Sequence, residues 1–301
     1  MSSNDAQKTI QLPKDQKIMI AVPTIDGKIE VDCMISIMKC MEFCKRHGVN
    51  TSFIPLAGDS LICRARCILA HAFYKSKENY THMFFVDSDI GFQEQLLIKL
   101  LIKDRPLVAA CYPKKSYTWP GDRDPAKDFE TVHKRPLKSF QDLAPGLLNY
   151  NVNFLPSGGQ VNQGFVDVLD AATGLMLIRR DCIERLDKEE HYVVNDLADM
   201  TLANHEIKKG CKYLNLFPVM VDPVTKRLLS EDYAFCRLVQ LAGLPPVAML
   251  IDHHVVHKGQ CRYQGNFADK LLRSGALKQR QPEPAAPPAP TEDEGRLSDL
   301  D

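Results

Sequence analysis

Short apolar runs and stretches of helical periodicity take turns along the first third of the chain. KIMIAVPT, residues 17–24, is an apolar run closed by Pro23, and it reads as a buried strand that ends in a loop. Residues 30–47 place their apolar positions at helical spacing, with Gly48 standing where a C-terminal cap belongs. NTSFIPLAG (50–58) predicts a second strand, residues 61–74 a second helix, and THMFFVDSD (81–89) a third strand. Residues 93–102 predict a third helix and LVAACYP (107–113) a fourth strand. Strand and helix in strict alternation is the pattern of half a doubly wound α/β fold, so a mostly parallel, Rossmann-like central sheet is expected.

Periodicity then fails. Residues 114–164 gather Pro, Gly, Asp, Lys and Asn around Trp119, the one tryptophan of the chain, and read as an irregular insert, a lid or a substrate-binding loop. Pattern resumes with FVDVLDAATGLMLIRR (165–180), a helix starting near Asp181 and a strand-like YLNLFPVMVD (213–222). A helix over 230–242 and the run VAMLIDHHVVHKG (247–259) follow. Residues 281–301 hold five of the 19 prolines with Ala and acids, a composition that cannot bury enough apolar surface to order itself. The chain is thus expected to divide into a flexible N-terminus (1–16), one α/β domain (17–280) and a disordered tail (281–301).

With 301 residues, 45% of them hydrophobic and 25% charged, the chain can bury a large core, and collagen-like, wholly disordered and multi-span membrane classes are excluded. The 38 basic and 38 acidic residues cancel, which removes the electrostatic footprint of a dedicated nucleic-acid binder. Because the tail carries −5, residues 1–280 hold a mild +5. No run of about 18 apolar residues occurs, and the polar N-terminus lacks a signal-peptide core, so a cytoplasmic protein without a membrane span is expected. The ten cysteines include no CxxC pair. Cys33, Cys40 and Cys44, like Cys63 and Cys67, recur at helical spacing and read as buried packing residues rather than zinc or redox ligands.

Candidate chemistry concentrates at Asp87, Ser88 and Asp89, directly after the apolar strand MFFV, where α/β sheets place their ligands. Two carboxylates one residue apart can reach one hard divalent cation, or one can bind metal while the other meets a ribose hydroxyl. The same string also suits an ordinary turn whose side chains bond nearby amides. Its context is the pair Glu231 and Asp232 opening a helix, and the histidines His253, His254 and His257. THMFFVDSDI, GLMLIRR, SEDYAFCRL and HKGQCRYQG, in that order, resemble the GT-A class of nucleotide-sugar glycosyltransferases, particularly the inverting family-two-like enzymes of bacteria and viruses, over residues 17–265.

The resemblance implies a single GT-A-like domain in which Asp87 and Asp89 hold Mn²⁺ or Mg²⁺ against the diphosphate of a nucleotide-sugar donor, with His257 as a further ligand. His253 and His254 fit less well, since neighbours on a strand face opposite ways. Asp232 is implied as the base that deprotonates a hydroxyl acceptor, and Glu231 as an acceptor-positioning residue. Ser230, Glu231 and Asp232 also make a good helix start, with Ser230 as N-cap, and the two roles are compatible. Pro23, Thr24, Asp59, Arg66 and Ser88 are the implied donor-side contacts, with turn residues and surface salt bridges as the bland alternative, and Arg64 reads equally as a solvated charge. Thr173 and Gly174 are expected to line the acceptor side, the glycine serving either close approach or a positive φ. Trp119 is expected to stack on a sugar or to anchor its loop. The activity implied is metal-dependent transfer of a sugar to a saccharide, protein, lipid or modified DNA base. The alternatives are a two-metal phosphoesterase or a non-catalytic sugar-nucleotide binding protein.

Overall fold

A computed structural model describes residues 15–119, 121 and 123–277; the expected disordered tail and nearly all of the expected flexible N-terminus lie outside the described residues. The first elements follow the apolar pattern closely: β1 (Lys17–Thr24), α1 (Val31–Arg46), β2 (Asn50–Ala57), α2 (Ile62–Lys75) and β3 (His82–Val86). Gly48 takes φ +74° just past α1, and its N–H donates to the Lys45 carbonyl at 3.2 Å, as a helix stop requires. Next come β4 (Ile90–Phe92), α3 (Leu96–Ile102) and β5 (Leu107–Ala110).

The segment expected to be irregular is folded instead. It contains β6 (Pro113–Tyr117), α4 (Pro125–His133), α5 (Phe140–Leu147), β7 (Leu148–Tyr150) and β8 (Val152–Phe154). Asp124 starts α4 by accepting from the Ala126 N–H at 2.9 Å, with Pro125 at the first helical position. Phe129 fixes the helix by burying its ring between the Arg135 and Arg273 guanidinium groups.

Downstream lie β9 (Phe165–Ala171), β10 (Leu175–Arg179) and α6 (Arg180–Leu186). Six short hairpin strands follow: β11 (Tyr192–Val194), β12 (Met200–Leu202), β13 (His205–Ile207), β14 (Lys212–Leu214), β15 (Met220–Val221) and β16 (Leu228–Leu229). The strand expected over 213–222 is thus two fragments, split around Pro218, which has no N–H to give a ladder. The chain continues through α7 (Glu231–Leu241), β17 (Val247–Leu250), β18 (Val255–Lys258), β19 (Arg262–Gly265) and α8 (Phe267–Arg273).

The central sheet has eight strands in the order β2-β1-β3-β10-β5-β17-β9-β8. The mostly parallel, Rossmann-like GT-A sheet expected from the sequence is corrected here. Three pairings are parallel, β1 with β2, β1 with β3, and β5 with β17, and four are antiparallel. The reason lies in residues 165–180, which form two strands broken at residues 172–174. β10 wedges antiparallel between β3 and β5, while β9 pairs with β17. Apolar runs report burial on both faces and carry no information on strand direction.

That burial alternates as a two-sided sheet demands. Ile18, Ile20, Phe84 and Val86 face one core with Ile37 of α1 and Leu97 of α3; Met19, Ala21, Met83 and Phe85 face the other with Phe73 of α2 and Phe235 of α7. Phe217 joins the second core, edge-on to Phe85 at 5.5 Å and stacked on Phe235 at 4.5 Å. All ten cysteines are free, and Cys33, Cys40, Cys44, Cys67, Cys111, Cys182 and Cys236 are buried, in line with a packing role. Among the described residues, no helix is long and apolar enough to cross a membrane.

A second, antiparallel sheet, β19-β18-β4, matters for the site because β4 begins one residue after Asp89. The three residues 87–89 therefore connect the two sheets.

Candidate functional site

β3 is buried along its whole length, so it fixes where Asp87 leaves the sheet. The Asp87 N–H donates to the Gly174 carbonyl at 2.9 Å and the Asp87 carbonyl accepts from the Ile90 N–H at 3.1 Å, which closes a tight turn. The Ser88 carbonyl accepts from the Glu30 N–H at 2.8 Å, and the Asp89 carbonyl accepts from the Lys258 N–H at 2.8 Å. Cys33 Sγ also donates to the Asp87 carbonyl at 3.4 Å, so the turn is closed without either carboxylate.

Each carboxylate has a cation. Arg66 of α2, nearly fully buried, donates from Nη2 to Asp87 Oδ1 at 3.0 Å and stands over the Phe85 ring. Its Nε lies 3.8 Å from Glu231 Oε1 and 3.9 Å from Asp232 Oδ1, within ionic reach but beyond hydrogen bonding. Burial opposes the guanidinium charge, and Asp87, Asp232 and Glu231 together outweigh it and hold the group fully protonated.

α7 delivers both acids in its first turn, near the positive end of the helix dipole. Ser230 occupies the N-cap position, yet its hydroxyl makes no capping bond, contrary to expectation. Burial raises the Asp232 carboxyl to about 6, Arg66 pulls it down, and Glu231 and Asp87 push it up. Arg66 Nε and Nη1 and Asp232 Oδ1 are buried with no hydrogen-bond partner among the described residues, while the Thr173 hydroxyl lies beside Asp232 and helps to lower its carboxyl. Leaving such groups unpaired costs about 1–3 kcal/mol each, so they call for a partner such as water or a polar ligand.

Asp89 lies on the other side of the turn. Its Oδ2 pairs with the Lys115 ammonium of β6, and its Oδ1 lies 3.3 Å from His257 Nε2. His257 sits on β18 with its ring edge-on to Tyr112 and its Nδ1 2.8 Å from the Pro113 carbonyl. A carbonyl can only accept, so Nδ1 carries a proton and donates to it. Burial pushes the Asp89 carboxyl up, and the His257 and Lys115 contacts more than reverse this, leaving it below the usual carboxylate range.

Among the described residues, no group of three or more His, Cys, Asp or Glu converges on a point that could hold a metal, so the expected trio of Asp87, Asp89 and His257 is not preassembled. Asp87 is turned to Arg66 instead. Asp89 and His257 are paired with each other at 3.3 Å, and the far His257 nitrogen is fixed by the Pro113 carbonyl. Four carboxylates, Asp87, Asp89, Glu231 and Asp232, face two fixed cations, Arg66 and Lys115, at this strand end.

Gly174 joins the two halves of the site. Its N–H donates to the Tyr112 hydroxyl at 3.1 Å, and a Cβ built on it would lie 2.6 Å from both Asp87 Oδ2 and Tyr112 Oη, and 2.7 Å from Ile90 Cδ1. Its φ is outside the left-handed region, so close approach is the reason for the glycine. Gly174→Ala is expected to cost about 1–3 kcal/mol of stability by overpacking, read as a lower urea midpoint.

No protein-family model and no curated protein matches the chain. Its site is defined by geometry.

The sequence-derived residues divide on that geometry. Arg66, Asp87, Glu231 and Asp232 form one group and Asp89, His257 and Lys115 another, on the two sides of the turn. Ser88 contributes a carbonyl to Glu30. Pro23 and Thr24 are buried at the end of β1, where the Thr24 hydroxyl donates to the Leu56 carbonyl at 3.3 Å. Asp59 is held by Arg64 through two bonds of 2.9 Å, so Arg64 is a structural partner rather than a solvated charge. No hydrogen bond or ion pair among the described residues ties Pro23, Thr24 or Asp59 to the acidic turn. Trp119 is 64% exposed. His253 is buried and His254 exposed, but both lie in the bend between β17 and β18 rather than on the expected strand. The reading by strand ends overlooked Tyr112 and Lys115, although Tyr112 stands just past β5, where the rule that selected Asp87 applies equally.

Proposed function

We propose that this chain transfers a glycosyl unit from a nucleoside-diphosphate sugar to an acceptor hydroxyl, with inversion. What supports the reading is the buried Arg66–Asp232 pair, in which Arg66 Nε and Nη1 and Asp232 Oδ1 have no hydrogen-bond partner among the described residues, beside a strand end where four carboxylates face two cations. A carboxyl poised near neutrality is suited to take a proton from a hydroxyl. Asp232 accepts the acceptor's proton as its oxygen bonds to the anomeric carbon; the bond from that carbon to the diphosphate breaks on the opposite face, and its electron pair leaves on the phosphate oxygen. Glu231 and Thr173 flank Asp232 and orient the acceptor. Arg66 keeps Asp232 ionised near neutral pH. A Mn²⁺ or Mg²⁺ ion would supply charge neutralisation for the departing diphosphate.

The test is thermal unfolding with a panel of nucleotide sugars, each with Mn²⁺ and with chelator. One donor at about 100 times its dissociation constant is expected to stabilise by about 2.7 kcal/mol with Mn²⁺ and far less without it. A panel with no manganese-dependent stabiliser overturns the proposal. Manganese-dependent cleavage of a phosphodiester, without sugar transfer, would replace it by the hydrolase alternative.

A further inference from the structure

Two large aromatic side chains, Trp119 and Phe140, are left 64% and 56% exposed, and the proposed chemistry uses neither. Rings of this size are ordinarily among the most buried groups of a fold, so both present unused apolar surface to water. They belong to a row. Phe140 stands edge-on to Tyr117 with ring centroids 5.8 Å apart, and Tyr117 tilts against Tyr263 at 5.1 Å. Trp119 follows two residues after Tyr117, where the Thr118 N–H donates to the Leu147 carbonyl at 2.8 Å and extends the pairing of β6 with the following segment.

The row starts at the acidic turn. β6 gives the Pro113 carbonyl to His257, the Lys115 ammonium to Asp89 and the Tyr117 ring to Tyr263. Along the backbone, Tyr117 therefore lies within about 7 Å of Lys115. Pro113 pairs with Tyr150 and Tyr117 with Leu148, so β6 carries a bulge between them, a device that re-aims side chains beside sites. Two cations flanking the rings are already matched, Lys115 by Asp89 and Arg262 by Asp32. The surface thus offers ring faces without the basic excess that a nucleic-acid backbone needs. A pyranose suits it: one face of C–H bonds stacks on an aromatic ring, while the hydroxyls at its edge stay in water.

We propose that Tyr117, Trp119, Phe140 and Tyr263 form a stacking track for a saccharide chain, with one end of the chain at the acidic turn and the rest along β6. The proposal rests on the glycosyl-transfer reading and narrows its acceptor to a saccharide. The track supplies affinity through apolar ring faces, and the charged groups of the turn are left to the chemistry.

Trp119 is the one tryptophan of the chain, so its emission reports on the track directly. The full chain is titrated with hexasaccharides of glucose, mannose, xylose and N-acetylglucosamine, and separately with an oligothymidylate. At least one hexasaccharide is expected to shift the emission to shorter wavelength, and the oligothymidylate to leave it unchanged. Phe140→Ala is expected to weaken that saccharide about two- to tenfold, the scale of one aromatic contact. Phe154→Ala, at an exposed phenylalanine outside the row, is expected to bind as wild type does. The proposal is overturned if no hexasaccharide shifts the emission, or if Phe140→Ala binds as tightly as wild type. A shift with oligothymidylate that fades with salt overturns it in favour of nucleic acid, and a shift that follows protein concentration alone assigns the rings to a second copy. A saccharide that binds while no nucleotide sugar stabilises the protein refutes glycosyl transfer instead; the reverse pattern refutes the track alone. Melting temperatures within a few degrees of wild type establish that the variants are folded.

Discussion

Asp232→Asn is expected to lower sugar transfer by about 10³-fold, the scale of a lost general base, in a protein that stays folded. The amide fills the same space but takes up no proton. In the wild type the rate is expected to rise with pH through about 6 and then level, because the base works only when ionised. Stability moves the other way. The folded-state pKa of Asp232 lies above its unfolded value of 3.8, so ionisation is harder in the folded protein. The stabilisation from holding this proton is complete below pH 4 and lost as pH rises through about 6. Asp232→Asn, neutral throughout, is expected to match wild type in urea near pH 4 and to gain on it at pH 7.5. A variant that retains transfer places the base elsewhere.

Arg66→Met is expected to remove about 3–5 kcal/mol of stability at pH 7.5, because it leaves Asp87, Glu231 and Asp232 around a buried point with no positive charge. Met fills much of the volume against Phe85, which confines the loss to charge and hydrogen bonding. At pH 5 Asp232 is mostly protonated, so the deficit is expected to shrink. Arg66 also pulls the Asp232 carboxyl down, so without it the acid limb of the rate profile is expected to move to higher pH in any residual activity. Denaturation at both pH values reads the first effect. Arg66→Lys, which keeps the charge and loses the planar fork, is expected to fall between the two proteins. A deficit independent of pH would mean that packing, not charge, is what Arg66 supplies.

The sequence made the outer frame of this site legible and hid its interior. β1, α1, β2 and α2 are long enough for one period to dominate, and their bounds lie within one or two residues of the apolar pattern. The four short elements from α4 to β8 span nine residues or fewer, less than the window in which a period can be recognised, so the segment reads as loop. Direction was hidden for another reason. The antiparallel entry of β10 between β3 and β5 is a nonlocal choice, and the unbroken run LMLI is the same either way. At the site, Asp87, Asp89 and Asp232 were readable because strand ends and helix starts are local features. Lys115 was not, since its approach to Asp89 depends on β6 folding back across β18. Gly174 was readable as special but not as crowded, because its neighbours Asp87 and Tyr112 come from two other strands.

The acidic turn straddles a seam. Asp87 is tied through its amide to Gly174, which leads into β10 of the large sheet, while the backbone of Asp89 is tied to Lys258 of the small one. The small sheet is strapped in turn by Arg262 to Asp32 at the start of α1, at 2.6 Å. The bite between the two carboxylates is thus an inter-sheet dimension, like the gap of a calliper whose jaws belong to separate arms. Residues far from the chemistry that set the tilt of β4, β18 and β19 hold the adjusting screw.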